Sequence, residues 1–203
     1  MTTSLVIVDT GCANIASVKF AVQRLGIQVI VSDELSVISK AQRVILPGVG
    51  SAPAAMASIE NKRLTACIQS LTQPVLGVCL GMQLMVDASQ ENTMGNNQDT
   101  QCLGLIPGRV VKMVAHDLTL PHMGWNRVTS VKENLLFEDI DDGAHFYFVH
   151  GYAVPEYEYT LATCQYHDRF SAAIHKDNFF GVQFHPERSS GAGAQLLKNF
   201  SRI

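Results

Sequence analysis

The chain has 203 residues, of which 47% are hydrophobic and 16% are charged. A chain of this length can bury well over half of its unfolded surface, so we expect one compact domain over residues 1–203. Its formal charge of −3 creates no basic field of the kind that attracts nucleic acid or an anionic membrane surface. Composition therefore favours small molecules and proteins as binding partners.

The cysteines and the first residues bear on the cellular location. Reduced thiols in a cytoplasm are predicted by an odd number of scattered cysteines without a Cys-x-x-Cys pair, here Cys12, Cys67, Cys79, Cys102 and Cys164. Residues 1–4 carry no positively charged side chain, and Asp9 interrupts the apolar run 5–8, which is unlike a secretory leader. No apolar stretch reaches the roughly 18 residues that a membrane span needs. We therefore expect a cytoplasmic protein.

The first half of the chain alternates short β-branched runs with helical stretches. Strands are predicted at residues 5–8, 29–31, 43–46 and 74–78, and helices at residues 14–25, 54–71 and 82–85. This alternation is typical of a mostly parallel sheet covered by helices. The polar, Asn- and Gln-rich segment 89–101 predicts a surface loop.

The second half of the chain favours strands. They are predicted at residues 109–114, 126–131, 146–149, 160–166, 171–174 and 179–184, before a helix over residues 191–200. The expected fold class is α/β: one open, mixed but mostly parallel sheet flanked by helices, with a strand-rich C-terminal half.

The segment Gly77–Gly81 has the pattern Gly-x-nucleophile-x-Gly, with Cys79 in the nucleophile position. It follows a predicted strand and precedes a helical stretch, which is the context that this motif requires. Glycine on both sides permits a sharp turn and leaves room for a substrate beside the thiol. Most free cysteines are buried packing residues, but flanking glycines are a poor way to build a core. Cys79 is therefore the candidate nucleophile.

A thiol nucleophile needs a base, and seven histidines compete for that role: His116, His122, His145, His150, His167, His175 and His185. His185 follows an apolar strand and is followed by Pro186, which favours extended backbone. Residues two apart in an extended segment project to the same side, so Glu187 can orient the His185 ring. Taken alone, His-Pro-Glu could be an ordinary turn after a strand. The order nucleophile, histidine, acid differs from that of α/β-hydrolases, whose acid precedes the histidine.

Five segments together resemble one known family. Gly77–Gln83 and Val182–Glu187 are similar to the nucleophile turn and the histidine segment of the class I (triad) glutamine amidotransferases. Asp9–Ser17, Pro121–Asn126 and Tyr147–His150 resemble, more narrowly, the glutaminase subunits of imidazole glycerol phosphate synthase. The resemblance extends from the first predicted strand to the last helix.

The resemblance implies a thioester mechanism on L-glutamine. Cys79 would attack the side-chain amide, His185 would protonate the departing ammonia, and water would then release glutamate. Glu187 would orient His185. No metal or cofactor is implied.

The family also implies where the oxyanion and the substrate are bound. One oxyanion donor would be the N–H of Leu80, and the second would lie in the loop 47–50, at Val49 or Gly50. Glycines there would let a peptide plane rotate toward or away from the oxyanion. Gln83, one helical turn after the nucleophile, and Gly50 would contact the bound glutamine.

In the family, ammonia passes through a channel to a (β/α)₈-barrel cyclase, which makes imidazole glycerol phosphate and AICAR in histidine biosynthesis. A heterodimer with that partner is implied. The residues expected at or near its interface are Pro121, His122, Trp125, Asn126, Tyr147 and Arg188.

The chain departs from the family pattern at two positions. Gly151 stands where members usually have a small hydroxyl residue, which puts a side-chain contact to glutamine there in question. Arg188 stands where many members have Lys, so the positive charge remains with a different geometry.

Three other interpretations stay open at this level. The chain could serve another amidotransferase, such as an anthranilate-type or pyridoxal-type synthase, although the Pro121–Asn126 segment argues against this. A cysteine hydrolase of the peptidase or deglycase type also has a thiol at a strand–helix turn, but needs no C-terminal His-Pro-Glu. A non-catalytic binding subunit would be expected to have lost part of the set Cys79, His185 and Glu187.

Overall fold

A computed structural model describes residues 5–11, 14–93, 98–114 and 117–203. Cys12, His116 and the centre of the polar 89–101 segment lie outside these ranges. The helices are α1 (Ile15–Arg24), α2 (Leu35–Ser39), α3 (Ala52–Asn61), α4 (Thr65–Gln69), α5 (Leu80–Gln83) and α6 (Ser190–Phe200). The strands are β1 (Leu5–Val8), β2 (Val29–Ser32), β3 (Arg43–Gly48), β4 (Val75–Cys79), β5 (Ala88–Ser89), β6 (Thr100–Gln101), β7 (Arg109–Lys112), β8 (His122–Arg127), β9 (Thr129–Ser130), β10 (His145–His150), β11 (Tyr152–Ala153), β12 (Thr160–Tyr166), β13 (Asp168–Lys176) and β14 (Phe179–Val182).

The main sheet has eight strands in the order β2-β1-β3-β4-β14-β13-β12-β9. The first five are mutually parallel, and the last three continue the sheet antiparallel. Strands β8 and β10 form a separate ribbon, and β11, β7, β5 and β6 form a small third sheet. The predicted α/β class, with an open mixed sheet and a strand-rich second half, is confirmed.

Helices cover both faces of the main sheet, because its central strands are apolar on both sides. Leu5 and Ile7 of β1 pack into one core with α1 and α6. Val6 and Val8, which point the opposite way, pack into a second core with α2, α3 and α4. Among the described residues, no helix combines the length and apolar character that crossing a bilayer would require.

Some predicted elements have different boundaries. The helix expected over 54–71 is two helices, α3 and α4, separated by a turn in which Arg63 has a φ of 57°. The strand expected over 126–131 is divided between β8 and β9, with β8 beginning at His122. Pairing with β10 over six residues, from His122 with His150 to Arg127 with His145, fixes β8. The short helix α2 was not predicted, since five residues carry too little helical periodicity.

Candidate active site

The turn at Cys79 is built by close backbone contacts that only glycine permits. Cys79 ends β4 with a φ of 54° and a ψ of −111°, a conformation that non-glycine residues rarely adopt. A Cβ atom on Gly81 would lie 1.9 Å from the carbonyl oxygen of Leu46. On Gly77 and Gly48 it would lie 2.7 Å from the backbone oxygen and nitrogen of Gly81, respectively. The glycines therefore press α5 against the ends of β3 and β4, and Cys79 is held at the top of the turn.

Sheet topology brings the histidine segment to this turn. Strand β14 lies parallel to β4, with Val182 opposite Val78, so the chain leaves the sheet beside Cys79. His185 Nδ1 is 2.8 Å from Glu187 Oε1, and the Glu187 side chain is only 3% exposed. A backbone hydrogen bond from His185 N to Tyr147 O, at 2.8 Å, anchors the segment to β10. The expected pairing of His185 with Glu187 is present.

The second ring nitrogen of His185 is free to take part in a reaction. Nε2 is buried and makes no hydrogen bond to any described residue. Burial by itself would lower the pKa of His185, but interactions with Cys79 and with Glu187 outweigh burial and raise it to about 10. A raised pKa means that the imidazolium form of His185 is favoured by the groups beside it, so the ring can hold a proton at neutral pH. The pair can therefore supply a thiolate nucleophile and a proton donor together.

Cys79 and His185 line one cleft of about 160 Å³. Six predicted site residues line it, namely Val49, Gly50, Cys79, Leu80, Gln83 and His185. Gly151, where a contact to glutamine was in question, also lines it, and the sequence interpretation did not assign four other lining residues to the substrate pocket: Glu91, Val149, His150 and Tyr152. Glu91 was missed because it lies in the polar segment that was predicted to be a surface loop.

Two glycines of the cleft differ in what they would tolerate. Gly50 has a φ of +94°, so any side chain there would be strained, and the loop after β3 depends on glycine. A Cβ on Gly151 would meet nothing within 4 Å. The missing hydroxyl at Gly151 is therefore replaced by open space rather than by another side chain.

Two buried glutamines connect the cleft to the sheet. Gln83 Nε2 donates to Tyr152 O and to Gln183 Oε1, both at 2.9 Å. Gln183 Nε2 lies 3.8 Å from Cys79 Sγ. Gln183 belongs to the histidine segment, but the sequence did not predict its contact with the thiol.

A pair of buried histidines approaches the cleft from the other side. His122 Nδ1 lies 3.0 Å from His150 Nε2, and His150 Nδ1 lies 2.8 Å from Tyr152 O. Because a carbonyl only accepts, His150 Nδ1 must carry the proton, so its Nε2 accepts from His122. His122 Nε2 then accepts from the amide of Asn126 at 3.3 Å. Burial lowers the pKa of His122 to about 4 and that of His150 to about 3, so both rings are neutral.

These lowered pKa values predict a loss of stability in mild acid. An unfolded histidine takes up a proton near pH 6.5, whereas His122 and His150 resist protonation in the folded state. Their contribution is complete above pH 6.5 and falls as the pH decreases toward 4 and 3. The loss should approach about 1.4 kcal/mol per pH unit for each proton. His185, with its raised pKa, has the opposite sign: its contribution is complete below pH 6.5 and is lost as the pH rises from 6.5 to about 10.

Urea unfolding at pH 7.5, 6 and 5 measures this effect. The free energy of unfolding should decrease mainly between pH 6 and 5, where the opposing contribution of His185 is already complete, and replacing the exposed His145 by Gln should leave that decrease unchanged. A free energy that stays constant from pH 7.5 to 5 would contradict the neutral state of the buried pair.

The residues expected at a partner interface lie in two different environments. Trp125 is 52% exposed on β8, its ring packs edge-on against Tyr147 at 6.1 Å, and the Arg188 guanidinium lies 5.8 Å from the Tyr147 ring. Consecutive residues of a strand face opposite sides, so His122 and Asn126 belong to the other face of the ribbon. His122 is 2% exposed and stacks on Tyr166 and Phe148 at 4.0 and 4.9 Å.

The expectation that the His122 side chain faces a partner therefore needs correction, since β-strand alternation buries it. Asn126 is half-buried, and its amide also donates to Gln165 O at 3.0 Å. Pro121 is exposed just before β8. The exposed Trp125 and Arg188, with the half-buried Tyr147 between them, form a row on this side of the ribbon.

An open α/β sheet that holds a thiol at a strand–helix turn, beside a histidine and a buried carboxylate, is the arrangement of enzymes that attack carbonyl carbons with cysteine. Within that class, a family model described as "Glutamine amidotransferase class-I" matches residues 6–203, and the chain belongs to this family. It is therefore an enzyme, a glutamine amidotransferase.

Two curated relatives show which group within the family the chain is similar to. The chain is 54% identical over 207 residues to "Imidazole glycerol phosphate synthase subunit HisH" of Colwellia psychrerythraea, covering 98% of this chain and 92% of that protein. It is 55% identical over 196 residues to the HisH subunit of Pectobacterium atrosepticum, covering 97% of each. These values extend the similarity over nearly the whole chain.

Solved structures show the same fold at low identity. A putative GMP synthase protein of Thermoplasma acidophilum superposes with a TM-score of 0.73 at 17% identity, covering 100% of this chain and 94% of that one. PurLQS of Thermotoga maritima gives a TM-score of 0.70 at 16% identity, covering 98% of each chain. At these identities the similarity concerns the fold alone.

Proposed function

We propose that this chain is the glutaminase subunit of an imidazole glycerol phosphate synthase, and that it hydrolyses L-glutamine through a thioester at Cys79. The observation that carries the proposal is the shared cleft, which is lined by both Cys79 and His185, with the Nε2 atom of His185 left without a hydrogen bond to any described residue. Identity of 54–55% with HisH subunits over nearly the whole chain supports the assignment to histidine biosynthesis.

The reaction begins with Cys79 as thiolate and His185 as imidazolium. Sulfur attacks the side-chain carbonyl carbon of glutamine, and the C=O electrons move to oxygen. His185 gives its Nε2 proton to the nitrogen as the C–N bond breaks, so ammonia leaves and a thioester remains. Neutral His185 then takes a proton from water, whose oxygen attacks the thioester. Glutamate departs and the thiolate is restored, while Glu187 holds Nδ1 throughout.

The oxyanion of each tetrahedral intermediate needs donors close to Cys79. Leu80 follows the nucleophile directly and lines the cleft, so its N–H is the first donor. Val49 and Gly50 line the cleft from the end of β3 and supply the second. Gly50 and Gln83 also contact the substrate, Gln83 through the Oε1 atom that its two described hydrogen bonds leave free.

Glu91 supplies charge recognition for the amino-acid end of glutamine. It is the one acidic side chain among the described residues that line the cleft. Burial raises the pKa of Glu91, and a hydrogen bond from Ala52 N to its Oε2, at 2.7 Å, opposes that rise. A half-buried carboxylate gains most from a cation that enters the same cleft. The α-ammonium group of glutamine is such a cation.

Replacing Glu91 by Gln should raise KM for glutamine about tenfold or more and leave kcat within a few-fold. The interaction lies away from the reacting carbonyl, so it stabilises ground state and transition state alike. Steady-state glutamate release in the complex measures both constants. The exposed Glu60→Gln variant on α3 provides the matched control. An unchanged KM would contradict this role of Glu91.

The partner in this proposal is a (β/α)₈-barrel cyclase that receives the ammonia and forms imidazole glycerol phosphate and AICAR. Its docking surface includes Pro121 and the row of Trp125, Tyr147 and Arg188. An exposed tryptophan beside an arginine is typical of an interface anchor. Residues 1–203 act as one glutaminase domain in this heterodimer. We place the heterodimer in the cytoplasm, which the free cysteines among the described residues support.

The test combines this chain with a barrel cyclase and the ribonucleotide substrate of that cyclase. Glutamate release should depend on the partner and rise further when the ribonucleotide is added. Release of peptides or esters without a partner would instead support a general cysteine hydrolase. Stable complex formation without glutamate would support a binding subunit.

A further inference from the structure

Gln183 lies directly after β14, two residues before His185, and its side chain is fully buried. A buried polar side chain must find its hydrogen-bond partners inside the protein. Its neighbours are Gln83 on one side and the thiol of Cys79 on the other. The proposed reaction uses neither atom of its amide. The position of the buried Gln183 amide beside the reacting sulfur of Cys79 therefore requires an explanation.

The orientation of the Gln183 amide follows from a backbone carbonyl. Tyr152 O can only accept, so Gln83 must present Nε2 to it, at 2.9 Å. The same Nε2 faces Gln183 at 2.9 Å, so Gln183 must present Oε1 there. Its Nε2 is then left to face Cys79 Sγ at 3.8 Å. His150 Nδ1 reaches the same Tyr152 oxygen at 2.8 Å, which holds that carbonyl from a second direction.

The contacts of the sulfur differ in which protonation state they favour. Cys79 Sγ lies 3.9 Å from Val149 O, an acceptor that suits a thiol hydrogen and opposes a thiolate. The N–H of Gln183 has the opposite polarity and favours the thiolate. Since the amide cannot turn without breaking its bond to Gln83, this donor is fixed in place before the reaction begins.

We propose that Gln183 is a further catalytic residue, whose amide N–H donates to the Cys79 thiolate and is held in that orientation by Gln83 and the Tyr152 carbonyl. The proposal rests on the role of Cys79 as nucleophile. It assigns to Gln183 the stabilisation of the attacking sulfur, separately from His185, which handles the proton.

The Gln183→Glu variant replaces the donor by an acceptor that can also carry a negative charge, and Gln83→Met, which adds no charge, separates the two effects. Its carboxylate keeps the shape and still accepts from Gln83, but places an oxygen instead of an N–H beside the sulfur. Gln28→Glu is the matched control, because Gln28 is exposed and precedes β2, at the opposite end of the sheet from Cys79. The rate at which iodoacetamide alkylates Cys79 in the full-length chain measures the reactivity of the sulfur directly. The product is quantified by mass spectrometry of the peptide that contains Cys79. Cys67 in the same digest provides an internal reference.

In the wild type and in Gln28→Glu, Cys79 should be alkylated faster than Cys67 at neutral pH. In Gln183→Glu the rate at Cys79 should fall about tenfold or more, with the midpoint of its pH profile about one unit higher. Gln83→Met, which frees the Gln183 amide to turn and adds no charge, should slow alkylation in the same direction, and it serves alone if Gln183→Glu fails to fold. Unchanged rates and midpoints in a folded variant would overturn the role of Gln183. A wild-type Cys79 no faster than Cys67 would instead contradict Cys79 as nucleophile, and the inference with it.

Discussion

The Cys79→Ala variant should lose glutamate release by roughly 10⁴-fold or more, because Cys79 is the one thiol among the described residues that line the cleft. The hydrogen bonds of the thiol to described residues are long, 3.9 Å to Val149 O and 3.8 Å to Gln183 Nε2, so its removal should leave the fold intact. Steady-state glutamate production in the complex with the cyclase measures the loss.

Two controls separate this loss from a structural effect. The half-buried Cys67, on α4, can be replaced by Ala as a matched removal of a thiol outside the cleft, and activity should persist. Ammonia supplied from outside should restore synthesis by the partner in the Cys79→Ala complex. Glutamate release above one-hundredth of the wild-type rate would contradict thioester chemistry at Cys79.

The Gly81→Ala variant should be severely destabilised, by about 3–5 kcal/mol, or fail to fold. The new Cβ would lie 1.9 Å from the carbonyl oxygen of Leu46, and a backbone atom in β3 cannot move aside as a flexible side chain could. Separation of α5 from β3 would also displace Cys79, so activity should fall with stability. Denaturant unfolding and the yield of folded protein measure the effect.

Gly191→Ala is the matched control for this substitution. A Cβ on Gly191, in the first turn of α6, would meet nothing within 4 Å. Alanine is the better helix former, so this variant should gain a few tenths of a kcal/mol up to about 1 kcal/mol. A Gly81→Ala protein with wild-type stability and activity would show that the turn is not held by this contact.

Much of the site could be predicted because its motifs are local in the chain. The turn at Cys79 is marked by its glycines, and the pairing of His185 with Glu187 follows from a spacing of two residues. The alternation of strands and helices predicted the parallel half of the sheet, because buried parallel strands are continuous apolar runs. Each of these signals depends on near neighbours only.

The remaining features depend on contacts that join distant parts of the chain. Gln83 and Gln183 are 100 residues apart and meet only because α5 packs beside the end of β14. The burial of His122 depends on its register with His150 across the β8–β10 ribbon. The alternation of side chains along β8 places His122 and Asn126 on the opposite face from Trp125. The sequence did not show this, because Pro121 and Gly124 obscure the strand pattern. Glu91 lies in the polar segment 89–101, whose composition predicted a solvent-exposed loop.

Trapping the covalent intermediate tests the role of Cys79 most directly. The complex with the cyclase is mixed with glutamine, quenched in acid during turnover and digested for mass spectrometry. We predict a glutamyl group on the peptide that contains Cys79, and none on the corresponding peptide of the Cys79→Ala variant. Turnover with no adduct at Cys79, or with the adduct on another cysteine, would contradict a reaction that proceeds through this sulfur.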